Sequence, residues 1–204
     1  ELPTYRAHNE QGMAHAAIAY AKANFRQRFM ACTTSIGPGA LNMVTAAGVA
    51  HVNRLPVLFL PGDVFANRVP DPVLQQAEDF GDGTVTVNDC FRPVSRYFDR
   101  ITRPEQIIPA LARAMQVLTD PAECGPVTLS LCQDVQAEAY DYPENFFDER
   151  VWSIRRPRPD LHELKLAADA LKRAKRPLIV AGGGVLYSQA SPVLARFVEA
   201  TGIP

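Results

Sequence analysis

The chain has 204 residues, 47% hydrophobic and 21% charged, an ordinary globular composition with room for one large domain or one domain and part of another. Its 21 basic and 22 acidic residues leave a formal net charge of -1, which argues against a dedicated nucleic-acid or membrane-surface binder. No apolar run approaches the roughly 20 residues of a membrane helix, and the opening residues lack the features of a signal peptide. Cys32, Cys90, Cys124 and Cys132 form no CxxC pair and have no histidine at metal-ligand spacing. Cys32 and Cys132 sit in apolar runs and read as buried thiols, so the expected setting is reducing and cytoplasmic.

In chain order, Asn9 is the predicted N-cap of a first helix, with Glu10 in its first turn and an alanine-rich body over residues 13–23. Residues 29–33 read as a short buried strand, followed by a Gly37-Pro38-Gly39 turn and a small-residue helix over 40–52. Val57-Leu58-Phe59-Leu60 predicts a strand covered on both faces and ended by Pro61-Gly62. Residues 63–91, with Pro70 and Pro72, read as a long loop holding a helical turn or two. A strand is expected over 95–101, a helix over 105–118 from the spacing of Ile107, Ile108, Leu111, Met115 and Leu118, and a strand over 127–131. Residues 133–159 carry Tyr140, Tyr142, Phe146, Phe147 and Trp152 among acidic residues and prolines, and read as an ordered linker that packs on a surface. The rhythm then restarts, with a helix over 161–172, a strand over 177–181, a Gly182-Gly183-Gly184 turn and a helix over 191–201. Strands alternate with helices throughout, so the expected fold class is α/β, a parallel sheet with helices on both faces. Glu1-Leu2-Pro3-Thr4-Tyr5 moves almost at once into a helix, and Thr201-Gly202-Ile203-Pro204 stops where a strand is due. Both ends therefore read as cuts within a longer protein.

Three segments carry the chemistry: His8-Asn9-Glu10-Gln11-Gly12, Thr34-Ser35-Ile36-Gly37-Pro38-Gly39-Ala40-Leu41-Asn42, and Leu55-Pro56-Val57-Leu58 leading to Pro61-Gly62-Asp63. Taken singly, each has an ordinary explanation: a helix-start carboxylate, a tight connection, a buried strand. Their order and spacing together resemble the pyrimidine-binding domain of thiamine-diphosphate enzymes related to acetohydroxyacid synthase. Glu10 matches that family's helix-opening glutamate; Gly37, Pro38, Gly39 and Asn42 match its turn and following asparagine; Gln75 matches a glutamine, with Leu74 where the family has phenylalanine. Gly125-Pro126-Val127 and Gln133-Asp134-Val135 resemble the last strand and the exit from the domain. The resemblance divides the chain into a pyrimidine-binding domain lacking its N-terminal end (1–136), a linker (137–159) and the start of a Rossmann-like central domain (160–204).

Ile36, inserted between Ser35 and Gly37, departs from the family's turn. With it, the stretch 87–99, the Pro70-Asp71-Pro72-Val73-Leu74-Gln75-Gln76 segment and Tyr140-Asp141-Tyr142-Pro143 resemble one branch of the family. That branch hydrolyses a carbon-carbon bond of a cyclic 1,2-diketone in myo-inositol catabolism. The alternatives are an acetolactate synthase-like or other 2-keto acid lyase and, in a different class, a non-catalytic α/β binding domain.

The resemblance implies that Glu10 is catalytic, hydrogen-bonding N1′ of the aminopyrimidine, and that Glu10, Gly37, Pro38, Gly39, Asn42 and Gln75 bind cofactor. A carboxyl raised in pKa by a dry pocket suits that task. Thiamine diphosphate and Mg2+ are the implied cofactors, with the diphosphate and metal site outside this chain. Gly81-Asp82-Gly83 imitates the start of the family's metal motif, but Asn88 follows too closely, and the segment reads as a turn. A second subunit of a homodimer or homotetramer is implied to supply the diphosphate-binding domain, so the 204 residues alone are expected to be inactive. His15 and His51 read as helix-surface residues; His8, next to Glu10, is a candidate for cofactor or substrate contact.

Overall fold

The computed structural model describes residues 2–70, 73–77 and 80–204. Glu1, Asp71 and Pro72, which enter the expectations above, lie outside them. Helix α1 (Glu10–Ala23) starts where predicted: Asn9 is extended, and its side-chain oxygen accepts the Gly12 amide at 2.7 Å, satisfying one of the amides a helix start leaves unpaired. Ala14, Ala17, Ile18 and Ala21 form the buried stripe at helical spacing.

The helix expected over 40–52 is two pieces, α2 (Pro38–Leu41) and α3 (Val44–Asn53). Between them the Met43 amide reaches back only to Ala40 at 3.0 Å, a tight three-residue bond that breaks the longer helical ladder. The break sends Met43 into the core and turns Asn42 toward α1, where it meets Glu10.

Strands β1 (Ala31–Thr34), β2 (Leu58–Asp63), β3 (Tyr97–Ile101) and β4 (Val127–Cys132) form a four-stranded parallel sheet ordered β1-β2-β4-β3. β2 does not end at Pro61-Gly62; it runs on to Asp63, with Gly62 opposite Leu131 and Asp63 opposite Cys132. The β2–β4 register skips Leu60 and Pro61, because proline has no N–H to give the ladder, and resumes at once beyond it.

Helices cover both faces. On one, Ala110, Ala114 and Leu118 of α4 (Ile107–Leu118) pack on Leu58, Ile101, Val127 and Leu129. On the other, a 3-10 helix (Val87–Val94) forms across the end of the loop expected over 63–91 and inserts Phe91, whose ring meets Phe59 at 5.9 Å between centroids. Tyr140, Tyr142, Phe146 and Phe147 of the expected linker stack on one another, and the Tyr142 hydroxyl donates to the Pro104 carbonyl at 3.3 Å.

The chain divides into two units, Glu1–Ile154 and Arg155–Pro204. In the second, Asp160 caps α5 (Leu161–Arg173), and α6 (Gly183–Tyr187) and α7 (Ser191–Thr201) follow. The strand expected over 177–181 is not formed. Among the described residues its backbone tie is Ile179 N–H to the Pro204 carbonyl at 2.8 Å, and a strand exists only as part of a ladder. The glycine turn is in fact the start of α6, with Gly182 as its N-cap. Among the described residues no helix is long and apolar enough to cross a membrane.

Candidate functional site

Glu10 stands in the first turn of α1, and Asn42 in the break between α2 and α3. Asn42 Nδ2 donates to Glu10 Oε2 at 2.8 Å, so residues far apart in sequence are locked together. The turn that carries Asn42 needs its two glycines for different reasons. Gly37 has φ +67°, and a Cβ there would overlap the Gln75 carbonyl oxygen, so only glycine fits both the left-handed backbone and the close approach. At Gly39 a Cβ would stand 2.5 Å from Ser35 Oγ and 3.5 Å from Glu10 Oε1. Pro38, first residue of α2, has no N–H to leave unpaired and a φ already set for the helix.

Together these residues border an open cavity of about 630 Å³, lined by Glu10, Ser35, Pro38, Gly39, Leu41, Asn42 and Gln75. Glu10, Pro38, Gly39, Asn42 and Gln75 are thus brought to one place. Gly37 is buried behind them under Gln75 and shapes the turn rather than the wall. Ser35 and Leu41 are wall residues that the sequence reading did not assign. Both lie in the quoted Thr34–Asn42 motif, Leu41 within the helix expected over 40–52. Ile36 is 7% exposed: the inserted side chain points into the core and leaves Ser35 on the surface. His8, His15 and His51 do not line the cavity.

The Glu10 carboxyl is held below its ordinary pKa, first by the Asn42 hydrogen bond and then by a backbone amide, against a small opposing effect of burial. This differs from the raised value that the sequence reading favoured. The carboxyl is only half-buried and accepts a donor that prefers its charged form. Asp82 Oδ1 accepts from the Thr84 amide at 2.9 Å and the Thr84 hydroxyl at 2.6 Å, an Asx turn as expected for Gly81-Asp82-Gly83. Cys32, Cys124 and Cys132 are buried, and burial pushes their thiols up to about 11, 11 and 12; such thiols are inert at neutral pH.

The chain matches two domains of the thiamine pyrophosphate enzymes. Residues 1–82 match the family described as "Thiamine pyrophosphate enzyme, N-terminal TPP binding domain", and residues 164–204 match its "central domain". Over its whole length the chain is similar to proteins named 3D-(3,5/4)-trihydroxycyclohexane-1,2-dione hydrolase. It is 54% identical over 203 residues to that of Clostridium tetani and 53% identical over 204 residues to that of Geobacillus thermodenitrificans. The Listeria monocytogenes relative is 54% identical over 203 residues. The chain spans about a third of these relatives' length (100% of this chain, 32% of each relative).

The cavity fits a flat heteroaromatic ring such as the aminopyrimidine of the family's cofactor. Position 39 carries no side chain, so the gap between Ser35 Oγ and the Glu10 carboxyl stays open. A carboxylate at its edge can exchange a proton with a ring nitrogen.

Proposed function

We propose that the chain is the pyrimidine-binding part of a thiamine-diphosphate-dependent hydrolase. The longer protein would cleave a carbon-carbon bond of 3D-(3,5/4)-trihydroxycyclohexane-1,2-dione to give 5-deoxy-glucuronate in myo-inositol catabolism. The observation that carries the reading is the meeting of Glu10, Gly39, Asn42 and Gln75 in one cavity, in a chain 52–54% identical throughout to hydrolases of that name.

In this reading residues 1–136 form the pyrimidine-binding domain, 137–159 the linker and 160–204 the beginning of the central domain. Glu10 is the catalytic residue and holds the proton shared with the aminopyrimidine N1′. Asn42, donating at 2.8 Å, fixes which carboxyl oxygen faces the ring. Gly37, Pro38 and Gly39 keep the turn low enough for a ring to approach, and Gln75 closes the side. When bound, thiamine diphosphate supplies the carbon nucleophile and the electron sink for carbon-carbon cleavage. Mg2+ and the diphosphate site come from another domain, contributed by a second subunit of a homodimer or homotetramer in the cytoplasm, and the 204 residues by themselves are inactive.

The full-length protein, given the cyclic dione, thiamine diphosphate and Mg2+, should open the ring. Acetolactate production from pyruvate without dione turnover would replace the hydrolase reading by the synthase one. Turnover of neither substrate, with no cofactor binding, would leave a scaffold domain.

A further inference from the structure

The segment 87–99, which set this sequence apart within the family, contributes no lining residue to the cavity, although its helical part lies close to α2. Its residues 87–94 form the 3-10 helix behind the sheet and 97–99 open β3, and Asn88 in the helix is fully buried. We propose that Asn88 is a positioning residue for the Ser35–Gly39 turn, acting through Gly62; its importance to the cofactor rests on the thiamine-diphosphate reading above.

The path is made of short contacts. Asn88 Nδ2 spends its two hydrogens on the Gly62 carbonyl at 2.8 Å and Ser130 Oγ at 2.7 Å. Gly62, near the end of β2, lies directly against the turn: a Cβ there would stand 3.2 Å from the Ile36 amide nitrogen and 3.4 Å from the Ser35 carbonyl carbon. Ser35 Oγ in turn faces Gly39 across from the Glu10 carboxyl. The position of Gly62 therefore sets where the front of the turn can sit.

The anchor is itself braced. Ser130 donates to Asp63 Oδ2 at 2.6 Å, and Arg100 Nε donates to the same oxygen at 2.8 Å. Arg100 also reaches Thr86 Oγ1 at 2.8 Å and Asp89 Oδ1 at 3.0 Å, the residues that cap the 3-10 helix. Since Ser130 gives its hydrogen to Asp63, the Asn88 atom facing it must be the donor, and the amide orientation is fixed by chemistry. Asn88 Oδ1 is then a buried acceptor with no hydrogen-bond partner among the described residues. A buried amide left half satisfied carries a cost that a leucine would avoid, and its two donors are what it returns.

The test compares Asn88→Leu, Gly62→Ala and Leu129→Ala in the full-length protein. Leu129 lies on the same sheet but faces α4, so its truncation destabilises without touching the path. Amide exchange over residues 34–42 is read by mass spectrometry in the cofactor-free protein, and thiamine diphosphate affinity by titration. Asn88→Leu and Gly62→Ala should each speed exchange over 34–42 and weaken affinity about tenfold, a change of about 1.4 kcal/mol; Leu129→Ala should do neither. Gly62→Ala tests the path even if Asn88→Leu does not fold. Exchange and affinity within twofold of the parent in Gly62→Ala, or the same losses in Leu129→Ala, would overturn the proposal. Absence of cofactor binding by the parent protein would instead remove the functional reading, which the exchange measurement does not depend on.

Discussion

The two faces of the sheet are built on different principles. Against α4 the strands present Leu58, Ile101, Val127 and Leu129 to Ala110, Ala114 and Leu118, a surface held mainly by apolar burial. The face toward the 3-10 helix carries Phe59 on Phe91 and the Phe98 ring beside Arg92 and Arg100, and beside them a polar cluster. Asp63, Asn88, Thr128 and Ser130 are all buried there: Asn88, Ser130, Asp63 and Arg100 form one hydrogen-bonded chain, and Thr128 pairs with Ser95. Apolar packing is non-directional and tolerates small slides, whereas hydrogen bonds fix positions. The polar face lies behind the turn that carries the cavity, which is where fixed positions matter.

Breaking the polar face should cost most. Arg100→Leu leaves Asp63, 1% exposed, without its cation, and stability should fall by about 3–5 kcal/mol in urea denaturation. On the apolar face Leu129→Ala should cost about 2–4 kcal/mol, with the turn's exchange unaltered. Ser130→Ala removes one neutral donor to Asp63 and should cost about 1–3 kcal/mol.

A smaller, acid-range effect belongs to the polar face. Burial works against the Asp89 carboxylate, but its bonds to the Thr86 amide, Arg92 and Arg100 outweigh that and hold its pKa below the ordinary value. A group depressed in the folded state stabilises above its unfolded pKa and loses that contribution as pH falls through the folded one. Denaturation midpoints should therefore drop as pH is lowered through and below the ordinary aspartate range, and Asp89→Asn should flatten that decline. The Arg100 guanidinium works the other way: burial opposes its charge, yet Asp63 and Asp89 raise its pKa, so it stays charged throughout this range.

The apolar face was legible in the sequence because its signal is periodic. The spacing of Ile107, Leu111 and Leu118 and the run Val57-Leu58-Phe59-Leu60 place α4 and β2 without any long-range information. The polar face was not, since Asp63, Asn88, Arg100 and Ser130 look individually like surface residues and acquire meaning only when the strands bring them together. Local rules also misplaced two boundaries. Pro61 predicted the end of β2, but one missing donor interrupts the ladder on one side only. Asn42 and Met43 suit a helix, but the tertiary demand for Met43 inside and Asn42 at Glu10 breaks it. Of the site, the glutamate, turn and asparagine were readable from motif order. Ser35 and Leu41 on the wall depend on Ile36 turning inward and on that same helix break.

The central claim is that the Glu10 carboxylate exchanges the proton on which the cofactor depends, and Glu10→Gln tests it most directly because it keeps the shape and removes the titratable group. In the full-length protein, at saturating thiamine diphosphate, kcat for ring opening should fall by about 10²–10⁴-fold while the denaturation midpoint stays near that of the parent. Turnover at the parent rate in Glu10→Gln would contradict the account.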